Sequence, residues 1–158
     1  MTNMCPQVPG LNQRGWEALE RIISESWAEE FGELWVIAGP VFDNSANAPC
    51  KELPSDVRVP THCYMFIVDI TNDNQPRALG VIMPNIRIDR QPLRPFVKSV
   101  DEVETLTGID FLPALVDEVE DQIEATDANH ASADWHIDHD LIPTFPGTAR
   151  AIHVNDCD

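Results

Sequence analysis

Between Gly15 and Phe31 the apolar residues Trp16, Leu19, Ile22, Ile23, Trp27 and Phe31 recur at spacings of three and four, with charged or polar residues between them. That period predicts an amphipathic helix burying one stripe, and Gly32 is its natural stop. Residues 1 to 12, with Pro6, Pro9 and Gly10, read as an irregular lead-in, because proline removes a backbone donor and restricts its neighbour. Leu34 to Phe42 is a compact apolar run broken by Gly39-Pro40 and predicts a buried strand that ends in a turn. Asp43 to Ser55 has little periodicity and reads as a loop. Val57 to Ile70, rich in β-branched and aromatic residues, and Ala78 to Met83 predict a hairpin joined through the polar turn Thr71 to Pro76. Ser99-Val100-Asp101-Glu102 fits a capping box, so a short helix should run to about Leu106 and stop at Gly108. Leu112 to Glu124 predicts one more helix with an acidic outer face. From Ala125 onward small, polar and acidic residues dominate, and a loosely packed tail is expected. The expected fold class is therefore α+β, a mixed or antiparallel sheet packed with helices, with one domain over 1–124 and an acidic tail over 125–158.

Composition changes this picture through charge. The formal net charge is -17, a poor starting point for holding a polyanion, which usually meets a basic surface. The acid is unevenly spread: from Asp117 to the end, 11 acidic residues face Arg150 alone. The front of the chain is only moderately acidic, and a few bases beside a divalent cation can still hold phosphate locally. The four cysteines, Cys5, Cys50, Cys63 and Cys157, form no CxxC pair, so ordinary unpaired thiols are expected. No apolar stretch approaches the roughly 18 residues of a membrane span, and Met1 to Gln13 lacks a signal-peptide pattern. These observations leave the compartment open. There is no internal repeat, Gly-rich phosphate loop, GxSxG elbow or HExxH pair.

One ordered set of segments carries chemistry. Asn3-Met4-Cys5-Pro6-Gln7 followed by Leu11-Asn12-Gln13-Arg14-Gly15-Trp16-Glu17-Ala18-Leu19-Glu20 resembles the SN-x-x-PQ and LNQ-x-x-W-x-x-LE segment of the DNA/RNA non-specific endonucleases, which share the ββα-metal motif. Leu34 to Phe42 is similar to that family's strand ending in TGP-x-F, Val59 to Tyr64 to its VPTHFF-like strand start, and Ser99 to Phe111 to its SVDE-x-E-x-LTG-x-DF helix. Together these run from about residue 2 to 124 in the family's order, and the tail has no counterpart.

The resemblance implies a site. Asn12 matches the asparagine whose side-chain oxygen ligates Mg²⁺ directly, Glu20 the glutamate that holds a metal-bound water, and Asn3 an asparagine that supports the site from the lead-in. One amide is chemically sufficient for a hard cation that keeps most of its waters. Each residue also has a plainer reading: Asn12 as a helix N-cap, Glu20 as a solvated surface charge, Asn3 as a loop residue. The family's DRGH-like motif, whose histidine deprotonates the attacking water, has no match in these 158 residues. No catalytic residue is assigned here, and the general base is expected to lie outside the chain. Ser24 stands where the family tends to place a phosphate-touching arginine, while Arg21 points about 100° away from Glu20 around the helix. His62 belongs to a strand motif and reads as structural. His130, His136, His139 and His153 lie in the acidic tail, where His136-Ile137-Asp138-His139 offers an adventitious metal spacing against the simpler reading of a solvated tail.

The resulting expectation is a partial ββα-metal nuclease fold lacking its first strands, and a metal-dependent, sugar-non-specific endonuclease acting on DNA and RNA. The chain itself is expected to be a truncated or catalytically impaired member. The alternative, resting on the charge and the missing base, is an acidic non-catalytic interaction protein that mimics nucleic acid.

Overall fold

The computed structural model describes residues 5–43, 56–69, 71, 76–88 and 91–137. Its first helix, α1, begins earlier than the apolar spacing predicts. The Val8 carbonyl accepts the backbone N–H groups of Leu11 and Asn12 at 2.9 and 3.0 Å, and Pro9 is well placed in a first turn, where a missing donor costs nothing. The helix is π-wound over Leu11–Trp16, α-helical over Glu17–Ile22, π-wound again over Ile23–Trp27 and α-helical over Ala28–Phe31. Gly32, at φ +92°, ends it and donates its N–H to the Ala28 carbonyl.

Four antiparallel strands follow in spatial order β1 (Trp35–Val41), β2 (His62–Asp69), β3 (Arg77–Pro84) and β4 (Val97–Lys98). The expected hairpin is β2–β3, in register from His62 opposite Pro84 to Asp69 opposite Arg77. The expected buried strand is present as β1, but it forms an edge. Trp35, Val36 and Ile37 are 59%, 44% and 43% exposed, and an apolar run alone does not reveal how many neighbours a strand has. Pro40 lies inside β1, opposite Cys63, rather than in a turn. Proline is tolerated on an edge strand because its missing donor can face solvent.

Side chains alternate across the sheet, so β2 and β3 build two cores. Cys63, Met65, Ile67, Leu79, Val81 and Met83 meet Leu11, Trp16, Leu19 and Trp27 of α1. Tyr64, Phe66, Val68 and Ala78 face the opposite way, toward helix α2 (Val100–Thr107), Phe111 and helix α3 (Asp117–Glu124). The capping box at the start of α2 is present: Ser99 Oγ accepts from the Glu102 N–H, and the Glu102 carboxylate accepts from the Ser99 N–H. Gly108 ends α2 in a left-handed conformation, as expected. The next helix starts only at Asp117, because Pro113 disfavours helical geometry at Leu112.

The expectation of a loosely packed tail from Ala125 is corrected over residues 125–137. Helix α4 (Ala128–Asp134) docks on the α1 side of the sheet and delivers Trp135 and Ile137, 0% and 1% exposed, into that core. The Trp135 ring meets Trp27 and Phe31 edge-on at centroid distances of 5.0 and 5.2 Å. Arg77 joins the same corner, with its guanidinium over Phe31 and paired with the buried Asp69 carboxylate. Counting few large apolar residues underestimated this segment, since one buried tryptophan removes on the order of 200 Å² from water. The rest of the expected tail, 138–158, lies outside the described residues.

Candidate active site

The lead-in is positioned by one buried side chain. Asn85, 0% exposed, accepts the Val8 N–H on Oδ1 at 2.9 Å and donates from Nδ2 to the carbonyls of Pro6 and Pro60, each at 3.0 Å. Its own backbone N–H donates to the Thr61 carbonyl. This clamp fixes the entry of the chain into α1 against the starts of β2 and the end of β3. Nothing local in the sequence marks Asn85, whose partners are 25 to 79 residues away.

From that fixed entry α1 presents two sides. Leu11, Gly15, Trp16, Ala18, Leu19 and Ile23 are buried, while Asn12, Gln13, Glu17, Glu20 and Ser24 are exposed. Asn12 stands in the opening turns, but its N–H already bonds the Val8 carbonyl, so it is inside the helix and not its N-cap. Asn12 and Glu20 share the exposed side. In a regular α-helix, eight residues would leave their directions about 80° apart and their Cα atoms about 12 Å apart along the axis. The π winding over Leu11–Trp16 takes an extra residue into each turn, which narrows the angle and shortens the rise. Asn3, the supporting residue implied by the resemblance, lies outside the described residues.

The basic residues nearby are unequal. Arg14 is buried at 4% exposure, and Arg21 pairs with Glu17 at 3.2 Å, so Arg21 occupies the flank as expected. Arg87 is a residue the sequence reading missed. It is exposed, and its backbone and Cβ press so closely on Gly10 that a Cβ there would come within 2.7 Å. The next residue, Ile88, donates its N–H to the Gly10 carbonyl. Arg87 therefore stands beside the opening turn of α1, two residues from Asn12 in that turn, although it is 75 residues away in sequence.

The histidines lie elsewhere. His62 is on the face of β2 opposite α1, among the even-numbered residues that look toward α2. Its Nδ1 is 3.1 Å from Thr61 Oγ1 and 3.4 Å from Asp43 Oδ2, in an open groove of about 500 Å³ lined also by Lys98, Asp101, Glu102 and Thr105. With the sheet between them, His62 cannot reach a water at Asn12. His136 pairs with Glu30 at 3.0 Å, which is about 15 Å along the helix from Glu20. His130 pairs with Asp127 on α4 at 2.9 Å; Asp138, His139 and His153 are outside the described residues.

The acid is also partitioned. The carboxyl pKa values of Glu120 and Glu124 of α3 are raised, first by desolvation and then by neighbouring carboxylates including Asp110 and Glu104. This crowd belongs to the α2–α3 side, away from Asn12. Among the described residues no group of three or more His, Cys, Asp or Glu side chains could enclose a metal. The Asn12 amide and the Glu20 carboxylate are oxygen donors of the kind a hydrated hard cation takes, and Gln13 and Glu17 are exposed on the same helix.

A model of the DNA/RNA non-specific endonuclease family matches residues 1–118. The chain belongs to that family. Among its relatives, the mitochondrial endonuclease G of Bos taurus is 29% identical over 124 residues, which cover 73% of this chain and 41% of that protein. Nuclease C1 of Cunninghamella echinulata var. echinulata is 33% identical over 123 residues, covering 73% of this chain and 48% of the relative. A solved EndoG/EndoGI complex, concerned with inhibition of EndoG, superposes with a TM-score of 0.66 at 25% identity over 80% of this chain and 55% of the other. The α+β architecture is thus that of an endonuclease of this family, and the chain spans less than half the length of the two named relatives. The family match ends within α3, so α4, Trp135 and Ile137 extend the packed unit beyond it. No helix among the described residues is long and apolar enough to cross a membrane.

Proposed function

We propose that this chain carries the metal-binding half of a Mg²⁺-dependent, sugar-non-specific endonuclease that hydrolyses phosphodiester bonds of DNA and RNA. Asn12 supplies the direct protein ligand, Glu20 orients a metal-bound water, and Asn3 supports them from the lead-in. The observation that carries this reading is the exposure of Asn12 and Glu20 on one side of α1, with a π turn drawing them together. Bound there, the cation would neutralise charge on the phosphate and polarise it. The chain's own residues do the rest: Asn85 holds the lead-in, the α1 core stripe keeps the oxygen ridge outward, and Arg87 gives positive charge beside it. The Glu120 and Glu124 crowd lies on the other side of the sheet, but α1 itself carries Glu17, Glu20, Glu25, Glu29 and Glu30 against Arg14 and Arg21, so a bound cation would have to supply most of the positive charge that meets phosphate.

In this reading proton abstraction from water belongs to a DRGH histidine outside these 158 residues. General-base catalysis contributes about 10² to 10⁴-fold, so the isolated chain should nick plasmid DNA or cleave RNA very weakly with Mg²⁺. Joining it to a family segment bearing DRGH should restore nicking, and Asn12→Ala in the joined protein should abolish it. Robust cleavage by the 158 residues alone would overturn the assignment of the base, and full activity of Asn12→Ala would overturn the metal site.

A further inference from the structure

The lead-in carries a second device that the proposed nuclease chemistry does not use. Cys63, on the α1 side of β2, is 1% exposed, and Cys5, half-buried at the start of the described chain, packs against the same core. Gln7, two residues on, donates from Nε2 to Cys63 Sγ at 3.1 Å, and the Asn85 clamp holds Pro6 and Val8 on either side of it. These anchored residues follow directly on Cys5, whose side chain packs on the same core and contacts Cys63, and both are free thiols. We propose that Cys5 and Cys63 are a peroxide-oxidised pair, Cys5 being the thiol that reacts and Cys63 the thiol that resolves it into a disulfide latching the lead-in to β2.

The two environments divide the labour. Cys5 is open enough to meet a small oxidant, whereas burial pushes the Cys63 thiol up to about 12, against the smaller opposing effect of the Gln7 bond, and the Cys5 thiol in contact with it adds to the rise. At 1% exposure Cys63 is shut off from peroxide in solution and can react only with the Cys5 sulfur that touches it. Hydrogen peroxide transfers one oxygen to Cys5, giving a sulfenic acid and one water. Cys63 Sγ then attacks the Cys5 sulfur, the S–O bond breaks, and the sulfenic hydroxyl leaves with the Cys63 proton as a second water. Two thiols lose two electrons and two protons, and peroxide is reduced to two waters.

The test is peptide mapping of the 158-residue chain after stoichiometric hydrogen peroxide, unfolding and alkylation. The expected product is a Cys5–Cys63 cross-linked peptide, with two of the four thiols lost. In Cys5→Ser, Cys63 should remain alkylatable; in the double variant Cys50→Ser, Cys157→Ser the bond should form as in the parent. Because the bond closes a loop of 58 residues, the oxidised chain should melt about 5 °C or more higher, reversed by dithiothreitol. Accumulation of Cys5 sulfinic acid with Cys63 still a thiol, coupling of either to Cys50 or Cys157, or a bond that leaves the melting temperature unchanged would each overturn the latch.

Discussion

The two faces of the sheet use the same strands for opposite purposes. On the α1 face, odd-numbered residues of β2 seat a helix whose exposed ridge carries an amide and a carboxylate, beside an arginine brought in from the loop after β3. On the other face, even-numbered residues seat α2 and α3, whose outer surfaces concentrate carboxylates and whose end opens a groove at His62. A residue's side of the sheet therefore says more about its part in chemistry than its type does. His62 is the conspicuous histidine of the sequence, yet it lies on the face of the sheet opposite α1. Arg87 has no signature at all and packs against Gly10 in the opening turn of α1.

The comparison can be broken most forcefully at Trp135. Trp135→Ala should destabilise the chain by about 3–5 kcal/mol in denaturant unfolding, the usual loss for a buried large aromatic. Trp135→Phe should lose much less, because the buried indole N–H finds no acceptor among the described residues. A loss below about 1 kcal/mol for Trp135→Ala would mean that the α1 face does not depend on this ring. Next is the clamp: Asn85→Ala leaves the Val8 N–H and two carbonyls unmatched and should cost about 2–3 kcal/mol, with raised hydrogen exchange at Leu11 and Asn12. A loss without that local exchange would show that Asn85 does not set the start of α1.

Two substitutions then sharpen the chemical contrast, both measured in the protein joined to a DRGH segment. Glu20→Gln should lower plasmid nicking by about 10- to 100-fold, the usual scale for a group that orients a metal's outer ligands. The smallest effect belongs to the opposite face. His62→Ala should change nicking by less than about twofold, since its polar contacts are with Thr61 and Asp43 in the groove on the face away from α1. If His62→Ala is the more damaging of the two, the division between faces is wrong.

Much of the architecture was legible where one principle acts locally. The α1 stripe from Trp16 to Phe31, the β2–β3 hairpin and the Ser99 capping box all follow from spacing within a few residues. The places where the sequence misled depend on distant partners. Trp35 to Ile37 read as buried because an apolar run does not state whether it is central or at an edge. Trp135 looked like a stray aromatic because its neighbours, Trp27 and Phe31, are more than a hundred residues upstream. Asn12 and Glu20 are proposed as site residues only through an ordered resemblance, since asparagine and glutamate on a helix have commonplace uses. The clamp at Asn85 and the approach of Arg87 to Gly10 were not legible, because tertiary closure creates both.

The π winding at the start of α1 makes its length a functional variable. A π turn holds one residue more than an α turn, so the loss of a single residue such as Gln13 could be absorbed by relaxation to ordinary α geometry, with the apolar stripe rejoined behind it. Residues ahead of the deletion, Leu11 and Asn12 included, would then keep nearly their present bearing relative to Glu20, because the α turn covers the same arc with one residue fewer. A one-codon deletion there should thus spare the core and the exposed ridge together, whereas the same deletion in the α-helical stretch Glu17–Ile22 would turn everything ahead of it by about 100°.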